Sequence, residues 1–399
     1  MTTRLEIKKG SNLPKVKAEN LSVVLDALRK LQPISRSELA EATGLTAATI
    51  THLVDELNDL QILIETRSDN KQVGRRPTLL TLNPSRGQII GVEISRSTLH
   101  VVRTDFCGKV LARENVPHDP NLGLEHTLSL LFQHIEGITD PALELLGIGI
   151  GVPGPVNSRE GTVLGPPNFG GWRNVPLARL IQEKFKVPCW LDDDAKTAAL
   201  GERWFGAGKN GVGTLLYVSF RAGVGAGLIV RDHIFRGAHE LAGEIGHTTI
   251  HVDGPLCECG NRGCVETLVS VPAILLEATR LGLKCQNARE LEALAQEGIQ
   301  NAINIKARTY QYIAATVVNA INHYDPDLIV LGGTLVRAWP DFIDCVTEKV
   351  KGRSFGFLSK DVNIVKAGLG SDSSAVGAAA LVVEQIFQEP QAHLQKEGA

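Results

Sequence analysis

Residues 244–266 read EIGHTTIHVDGPLCECGNRGCVE and place one histidine and three cysteines at the spacing of a metal site. The candidate ligands are one imidazole and three thiolates: His247, Cys257, Cys259 and Cys264. This set fills four-coordinate Zn²⁺ and leaves no open position for a reactive water, so it predicts a structural zinc. A metal there would clamp the loop so that Glu244 and Glu266 face one cavity.

The alternatives for these cysteines are buried thiols or a disulfide. The other four cysteines stand singly among apolar residues, and we expect them to be buried and inert: Cys107, Cys189, Cys285 and Cys345. The cluster differs because cysteines two residues apart rarely pair, and because the polar, basic residues 1–17 lack the apolar core of a secretory signal. His251 is a rival to His247 as nitrogen ligand, but the E-x-G-H context favours His247.

Length and composition restrict the class of protein. A chain of 399 residues predicts two or three domains, and 43% hydrophobic with 21% charged residues is typical of a globular protein. No apolar run approaches the ~20 residues of a membrane span, and we expect a cytoplasmic protein. A net charge of −3 argues against nucleic-acid affinity spread over the whole chain. Residues 1–17 are locally basic, which by itself predicts a solvated tail.

Two helices are predicted near the start of the chain. Apolar residues recur at helical spacing over residues 18–31, and Pro33 ends this helix. Ser35 or Ser37 caps a second helix that runs to Thr43, with Glu38 placed as in a capping box.

A third helix is predicted over residues 46–60, after a turn at Gly44. Its inward positions are apolar: Ile50, Leu53, Val54 and Leu57. Its outward positions are mostly small and polar: Thr46, Ala47, Thr49, Thr51 and His52. This order of elements is typical of a helix-turn-helix, whose last helix enters the major groove of DNA. Ser35 and Arg36, at the start of the second helix, join the predicted DNA contacts.

Two strands follow, at residues 63–66 and 78–82, and the polar loop between them contains Arg75 and Arg76. Together with the three helices they predict a winged helix-turn-helix domain over residues 1–85. An arginine pair held between glycine and proline suits the narrow minor groove, where the negative potential is strongest. A helical protein-interaction or dimerisation domain with a basic hairpin is the alternative.

Strands alternate with helices from about residue 88. Residues 89–94, 98–102 and 109–111 read as a meander, and residues 145–152 and 187–191 as buried strands. An acidic run, residues 192–194, follows the last of these and precedes a helix at 197–204. A second set of strands begins at residues 213–219 and includes 328–333. Two such halves around a cleft predict an α/β protein that binds ligands at the carboxyl ends of its strands.

These features resemble the ROK family of repressors and sugar kinases. The resemblance rests on G-E-I-G-H at 243–247 and on C-x-C-G-x-x-G-C-x-E at 257–266, and it extends over residues 91–387. It implies an actin-like ATPase, ribonuclease H-like, fold of two α/β lobes over residues 86–390, with the zinc loop at 244–266. With the N-terminal domain, nearly the whole chain resembles the family's transcriptional repressors.

The resemblance also implies a sugar site. In ROK kinases an Asn-Asp pair and three later residues hold the sugar hydroxyls, and the Asp is the general base. Asp194 matches that Asp, and Glu244, His247 and Glu266 match the other three. Asp193 stands where the family usually has Asn, which removes an amide donor and leaves the identity of the sugar open. Asn168 lies where the family often approaches the sugar; a turn-forming role is the alternative.

The nucleotide side departs from the family pattern. Where ROK kinases carry Asp-x-Gly-Gly-Thr, residues 93–97 read EISRS, and the second phosphate loop reads RAGVG at 221–225. Side chains at Ser95 and Arg96 would fill space that glycines leave for phosphate, although Arg96 and Arg221 could instead offer charge to it. Loss of phosphate-loop residues on the nucleotide side alone is typical of a sensor that binds sugar without phosphorylating it. In such a sensor Asp194 would be a vestigial base, and the chain would have no catalytic residue.

The sequence therefore predicts a sugar-responsive transcriptional repressor that binds double-stranded operator DNA and a monosaccharide effector. Two-fold operators suit two-fold proteins, so a homodimer or a dimer of dimers is expected. Helical stretches at 307–323 and 375–387 are candidates for the dimer surface. A sugar kinase with an accessory domain and a scaffold that binds a protein partner through the wing are the competing functions.

Overall fold

The computed structural model describes residues 13–67, 78–353 and 362–394. The N-terminal unit contains α1 (Leu13–Leu31), α2 (Arg36–Thr43) and α3 (Ala47–Asp59). A three-stranded sheet, in the order β1-β3-β2, joins β1 (Ile34–Ser35), β2 (Leu63–Arg67) and β3 (Thr78–Leu82). α1 begins five residues before the predicted start at Ala18, because its first turn is a stretch with few apolar residues that apolar periodicity does not detect. β1 was not predicted, since its two residues are ordered only by pairing with β3.

The predicted caps and turn of this unit are present. Ser35 and Glu38 form both hydrogen bonds of a capping box, and Gly44 ends α2 in the left-handed conformation at φ 69°. Thr46 caps α3 by accepting the backbone N–H of Thr49. The four apolar residues predicted to face inward on α3 are all buried: Ile50, Leu53, Val54 and Leu57.

The first lobe is built on a five-stranded sheet in the order β10-β7-β4-β5-β6. A meander of β4 (Gln88–Ile94), β5 (Thr98–Asp105) and β6 (Val110–Pro117) is followed by two parallel strands, β7 (Leu145–Val152) and β10 (Cys189–Asp193). Helices α4 (Leu124–Ile138) and α5 (Leu177–Phe185) and a short hairpin of β8 (Val156–Asn157) and β9 (Thr162–Val163) complete it. β5 and β6 run longer than predicted because each completes its ladder with the neighbouring strand.

The second lobe repeats the plan with the sheet β13-β12-β11-β14-β15. Its strands are β11 (Thr214–Phe220), β12 (Val224–Val230), β13 (His233–Ile234), β14 (Leu328–Gly332) and β15 (Asn363–Lys366). Its helices are α7 (Val265–Val269), α8 (Val271–Arg280), α9 (Ala288–Gln296), α10 (Gln300–Tyr324), α11 (Thr334–Ala338) and α12 (Phe342–Val350).

Two helices lie between the sheets: α6 (Asp194–Trp204) and α13 (Ser373–Gln388), which is followed by α14 (Pro390–Leu394). They cross so closely that a Cβ on Gly377 would lie 1.7 Å from the Thr197 carbonyl oxygen. α6 starts three residues earlier than predicted because Asp193 caps it. Nearly every residue of α13 is buried inside the chain, so the prediction that residues 375–387 supply a dimer surface is wrong.

Within the described ranges, no helix combines the length and the apolar character needed to cross a membrane.

Candidate functional site

A cleft of 880 Å³ opens between the two lobes. The first lobe contributes Glu93 and Ser95 from the end of β4, and Asp193 and Asp194 from the junction of β10 with α6. The second lobe contributes the β11–β12 turn and the predicted zinc loop. Acidic side chains are concentrated along the cleft: Glu93, Asp193, Asp194, Glu244, Glu258 and Glu266. Carboxylates accept hydrogen bonds, so this lining suits a ligand rich in hydroxyl groups.

Asp193 and Asp194 stand at the amino end of α6. Asp193 Oδ1 accepts the N–H groups of Ala195 (3.0 Å) and Lys196 (3.3 Å), and its Oδ2 accepts that of Gly154 (3.1 Å). Burial, followed by the charge of Asp194, raises the pKa of Asp193 to about 8. Burial raises the pKa of Asp194 to about 6, while the Arg221 guanidinium opposes that rise. Three backbone N–H groups hold the Asp193 carboxylate, so of the two carboxylates Asp194 is the more available to a ligand.

Glu244, His247 and Glu266, which the sequence predicted to share one site, all line the cleft from the second lobe. Glu266 Oε2 accepts the backbone N–H of Val224 at 2.8 Å, which fixes its carboxylate at the start of β12. Glu244 and Asp193 both approach Gly154, since a Cβ there would lie 3.8 Å from Glu244 Oε1 and 2.9 Å from Asp193 Oδ2. The structure thus brings the predicted carboxylates of both lobes to one cavity.

Asn168 is placed differently. It is exposed, adopts φ 63° in a turn, and is absent from the residues that line the cleft, whereas the preceding Pro167 lines it. The turn-forming role accounts for this conformation, because Asn tolerates positive φ better than most residues.

The four predicted metal ligands come together in the described structure. Their ligand atoms all lie within 4.8 Å of one another, and the group could hold a metal ion. Cys257 Sγ lies 3.5 Å from His247 Nδ1, and Cys259 Sγ lies 3.7 Å from Cys264 Sγ. His251 stands outside the group, with its ring stacked 6.3 Å from that of Tyr312.

Local geometry explains how the loop makes this cluster. Gly260 and Gly263 take positive φ, 92° and 62°, and a Cβ on Gly263 would lie 1.6 Å from the His251 carbonyl oxygen. The backbone N–H of Asn261 lowers the pKa of Cys259 to about 7, which favours the thiolate that a metal binds. Burial raises the pKa of Cys264 to about 12, so its thiol is protonated at neutral pH. A bound cation would favour the thiolate instead.

The remaining cysteines follow the prediction only in part. All seven cysteines are free thiols. Cys189 is buried, and burial raises its pKa. Cys107, Cys285 and Cys345 are half-buried rather than buried, because each lies at the margin of a core packed by larger side chains.

The cleft also contains an ion pair that the sequence did not predict. Arg221, from the β11–β12 turn of the second lobe, forms an ion pair with Glu93 of the first lobe through Nη1 and Oε1. The Glu93 side chain is 5% exposed and that of Arg221 is 19% exposed. Ser95, Arg96 and Ala222 line the same cleft. Glu93 was missed because its partner lies 128 residues away; its place at the end of a buried strand was the available signal.

The predicted DNA-contacting residues lie on the N-terminal unit. Thr46, Ala47, Thr51 and His52 are exposed on α3, while Thr49 is half-buried. Ser35 is buried as the cap of α2. Arg36 contacts Asp55 at 3.0 Å and Glu65 at 2.6 Å, so its charge is already partly balanced. Arg75 and Arg76 lie outside the described residues.

These features define a two-lobed, actin-like α/β protein with an acidic interlobe cleft and an N-terminal helical unit. The ROK family profile matches residues 89–385. The xylose repressor of Caldicellulosiruptor bescii is 32% identical over 394 residues, which cover 94% of this chain and 98% of that protein. The chain belongs to the ROK family.

Two solved structures match this chain over different lengths. The crystal structure of a ROK family transcriptional regulator, a homolog of the E. coli MLC protein, has a TM-score of 0.79 at 25% identity and covers 94% of this chain and 97% of its own. The ROK family glucokinase from Streptomyces griseus, in complex with glucose and AMPPNP, has a TM-score of 0.65 at 26% identity. It covers 99% of its own length but 74% of this chain, whereas the regulator matches nearly the whole length.

Proposed function

We propose that the chain is a sugar-responsive transcriptional repressor of carbohydrate-metabolism genes, with a DNA-binding domain at residues 1–85 and a sugar-binding domain at 86–390. The observation that carries this proposal is the composition of the cleft. It presents carboxylates from both lobes, and the Arg221–Glu93 ion pair joins the lobes where its charges act on Asp194. The carboxylates suit a polyhydroxylated ligand, and the ion pair already balances the charge that Arg221 would offer to a phosphate.

The proposed sugar site consists of Asp194, Glu244, His247 and Glu266, with Asp193 holding the start of α6. Each carboxylate accepts hydrogen bonds from sugar hydroxyls, and His247 Nε2 is free of the metal cluster if Nδ1 is the ligand atom. Asp194 acts as an acceptor and not as a base. A relative at 32% identity is a xylose repressor, so D-xylose is the first candidate ligand.

Zinc is the proposed occupant of the His-Cys cluster. Tetrahedral zinc with Zn–S near 2.3 Å and Zn–N near 2.05 Å requires about 3.8 Å between two sulfurs and about 3.6 Å between sulfur and nitrogen. The observed separations, 3.7 Å and 3.5 Å, match these values. When bound, the zinc would brace the loop and supply no reactive ligand position. His247 would connect the metal to the sugar.

DNA binding is assigned to the N-terminal unit as a winged helix-turn-helix. Support comes from the exposed, small polar front of α3 and from the three-stranded sheet β1-β3-β2 in the same unit. A homodimer would present two such units to a two-fold operator. This role places the chain with the chromosome in the cytoplasm.

A sugar kinase is the competing function, and the ion pair argues against it. If a phosphate displaced Glu93 from Arg221, a carboxylate that is 5% exposed would lose its countercharge, which is costly in a buried site. The pair also reduces the net positive charge that Arg221 offers a phosphate.

The test combines binding and turnover in one preparation. A duplex selected by the unmodified chain from a random library is titrated by gel shift with and without D-xylose and a panel of aldoses and N-acetylated hexoses. We expect one sugar to weaken DNA binding and no sugar-dependent ADP release from ATP. Asp194→Asn should abolish the sugar effect and retain DNA affinity, whereas the same change at the exposed Asp344 should alter neither. ADP release that depends on sugar and on Asp194 would establish the kinase instead.

A further inference from the structure

The end of α1 meets the sugar-binding domain at a cluster of charges centred on Asp232. This residue sits in the turn between β12 and β13, where Arg231 and Asp232 both adopt positive φ, 49° and 71°. Its carboxylate forms ion pairs with Lys30 through Oδ2 and with Arg203 through Oδ1, and Arg29 Nη2 lies 3.7 Å from Oδ1. One carboxylate therefore joins two cations of the DNA-binding unit to one cation of the sugar-binding domain.

Three of the charged side chains in this cluster are largely buried. The side chains of Arg203, Arg29 and Asp232 are 2%, 7% and 16% exposed. Arg29 also stacks on Trp204, with its guanidinium carbon 4.4 Å from the ring centroid. A cation held over an indole inside a charge cluster restricts how α1 can rotate against the domain beneath it.

Two elements connect this cluster to the sugar cleft. α6 begins at Asp194 in the cleft and ends at Arg203 and Trp204 in the cluster, so one helix of about 16 Å spans the distance. β12 begins at Val224, which donates to Glu266 in the cleft, and ends immediately before the turn that bears Asp232. A Cβ on Gly227 would lie 2.6 Å from the Ala195 carbonyl oxygen, so helix and strand are packed too tightly to move separately.

α1 in turn belongs to the DNA-binding unit. Its apolar face, which includes Leu25 and Leu28, shares a core with Ile50 and Leu53 of α3. A shift of Asp232 relative to α1 would therefore be passed to the helix that faces DNA.

We propose that Asp232 is a positioning residue through which sugar binding in the cleft changes the placement of the DNA-binding unit; this rests on the proposed function. Sugar contacts at Asp194 and Glu266 move α6 and β12 as one body, and the Asp232 carboxylate carries that displacement to Lys30 and Arg29.

Asp26 supplies a matched control. It contacts the same two cations, Arg29 and Lys30, each at 2.6 Å, but lies on α1 itself and so does not cross between the domains. Asp26→Asn and Asp232→Asn therefore remove the same chemical group from Arg29 and Lys30, and only the second also removes the ion pair with Arg203 that joins the two domains.

The experiment measures D-xylose affinity by calorimetry, and affinity for the selected duplex with and without D-xylose, in the full chain and its variants. We expect Asp232→Asn to keep sugar affinity within about twofold while the sugar-induced loss of DNA affinity falls by at least fivefold. Asp232→Glu should restore most of the response, and Asp26→Asn should retain it. An unaltered response in Asp232→Asn, or an equal loss in Asp26→Asn, would overturn the proposal.

Hydrogen exchange separates this proposal from the proposed function. If no sugar of the panel changes the DNA affinity of the unmodified chain, the proposed function fails by that measurement alone. Asp232 is then judged by amide exchange over residues 26–32: faster exchange in Asp232→Asn than in Asp26→Asn supports the contact, and equal exchange refutes it.

Discussion

The Arg221–Glu93 ion pair offers the most direct test of how the cleft is built, by comparing Arg221→Met, Glu93→Gln and the double variant. Each single change leaves a buried charge without its partner, because Glu93 is 5% exposed and Arg221 is 19% exposed. Orphaning a buried charge costs ~3–5 kcal/mol, whereas removing both partners is close to neutral. The single variants should then lose roughly 150- to 5,000-fold in folding equilibrium constant.

Thermal unfolding measures this difference. At about 2 °C per kcal/mol for a domain of this size, each single variant should melt roughly 6–10 °C lower, and the double variant should recover most of the loss. Unfolding that is additive in the double variant, or single losses below about 1 kcal/mol, would show that the two charges do not depend on each other. Binding of AMPPNP to the unmodified chain in calorimetry would refute the inference that the pair opposes the binding of a nucleotide phosphate.

Three further predictions follow from the site and the N-terminal unit. Purified protein should contain about one zinc per chain by elemental analysis, and Cys257→Ser should lose metal and sugar response together; metal-free protein that still responds to sugar would contradict this. Sugar affinity should fall about tenfold between pH 8 and pH 5, because the pKa of Asp194 is raised to about 6 and its ionised form is the stronger acceptor. Calorimetry across that range should show the step in the unmodified chain and in the control variant Asp344→Asn, and an unchanged affinity across the range would contradict the role of Asp194. Replacing Arg75 and Arg76 by alanine should weaken duplex binding and reduce the log–log salt slope by about 1.8 per DNA-binding unit in gel-shift titrations; an unchanged slope would exclude them as phosphate-neutralising contacts.

The features that the sequence predicted correctly depend on residues that lie close together in the chain. The metal cluster lies within 18 consecutive residues, and its glycines and cysteines determine the turns that bring the ligands together. The burial of α3 follows from one apolar periodicity, and its caps from Thr46 and Ser35. Nothing distant is needed to place these residues.

What the sequence could not predict depends on contacts between distant segments. Glu93 meets Arg221 across 128 positions, and Asp232 meets Lys30 across 202, so no spacing rule connects either pair. The burial of α13 was missed for the same reason, since a helix rich in small apolar residues suits a dimer surface as well as an interior. Only the crossing with α6, where Gly377 meets Thr197, shows that it lies inside.

The Arg221–Glu93 ion pair also bears on how a sugar sensor of this fold would respond. A ligand shifts an equilibrium between two conformations only as far as its affinities for them differ. Sugar held by Asp194 from one side and by Glu244 and Glu266 from the other would favour the closed cleft, because only closure brings all its acceptors within reach. The Arg221–Glu93 pair also joins the two lobes. The pair then helps to hold the lobes together, and the response is set by the difference between sugar contacts made in the closed and open states. The double variant of Arg221 and Glu93 should therefore bind sugar more weakly than the unmodified chain even where its stability recovers, since the sugar alone must then order the two lobes.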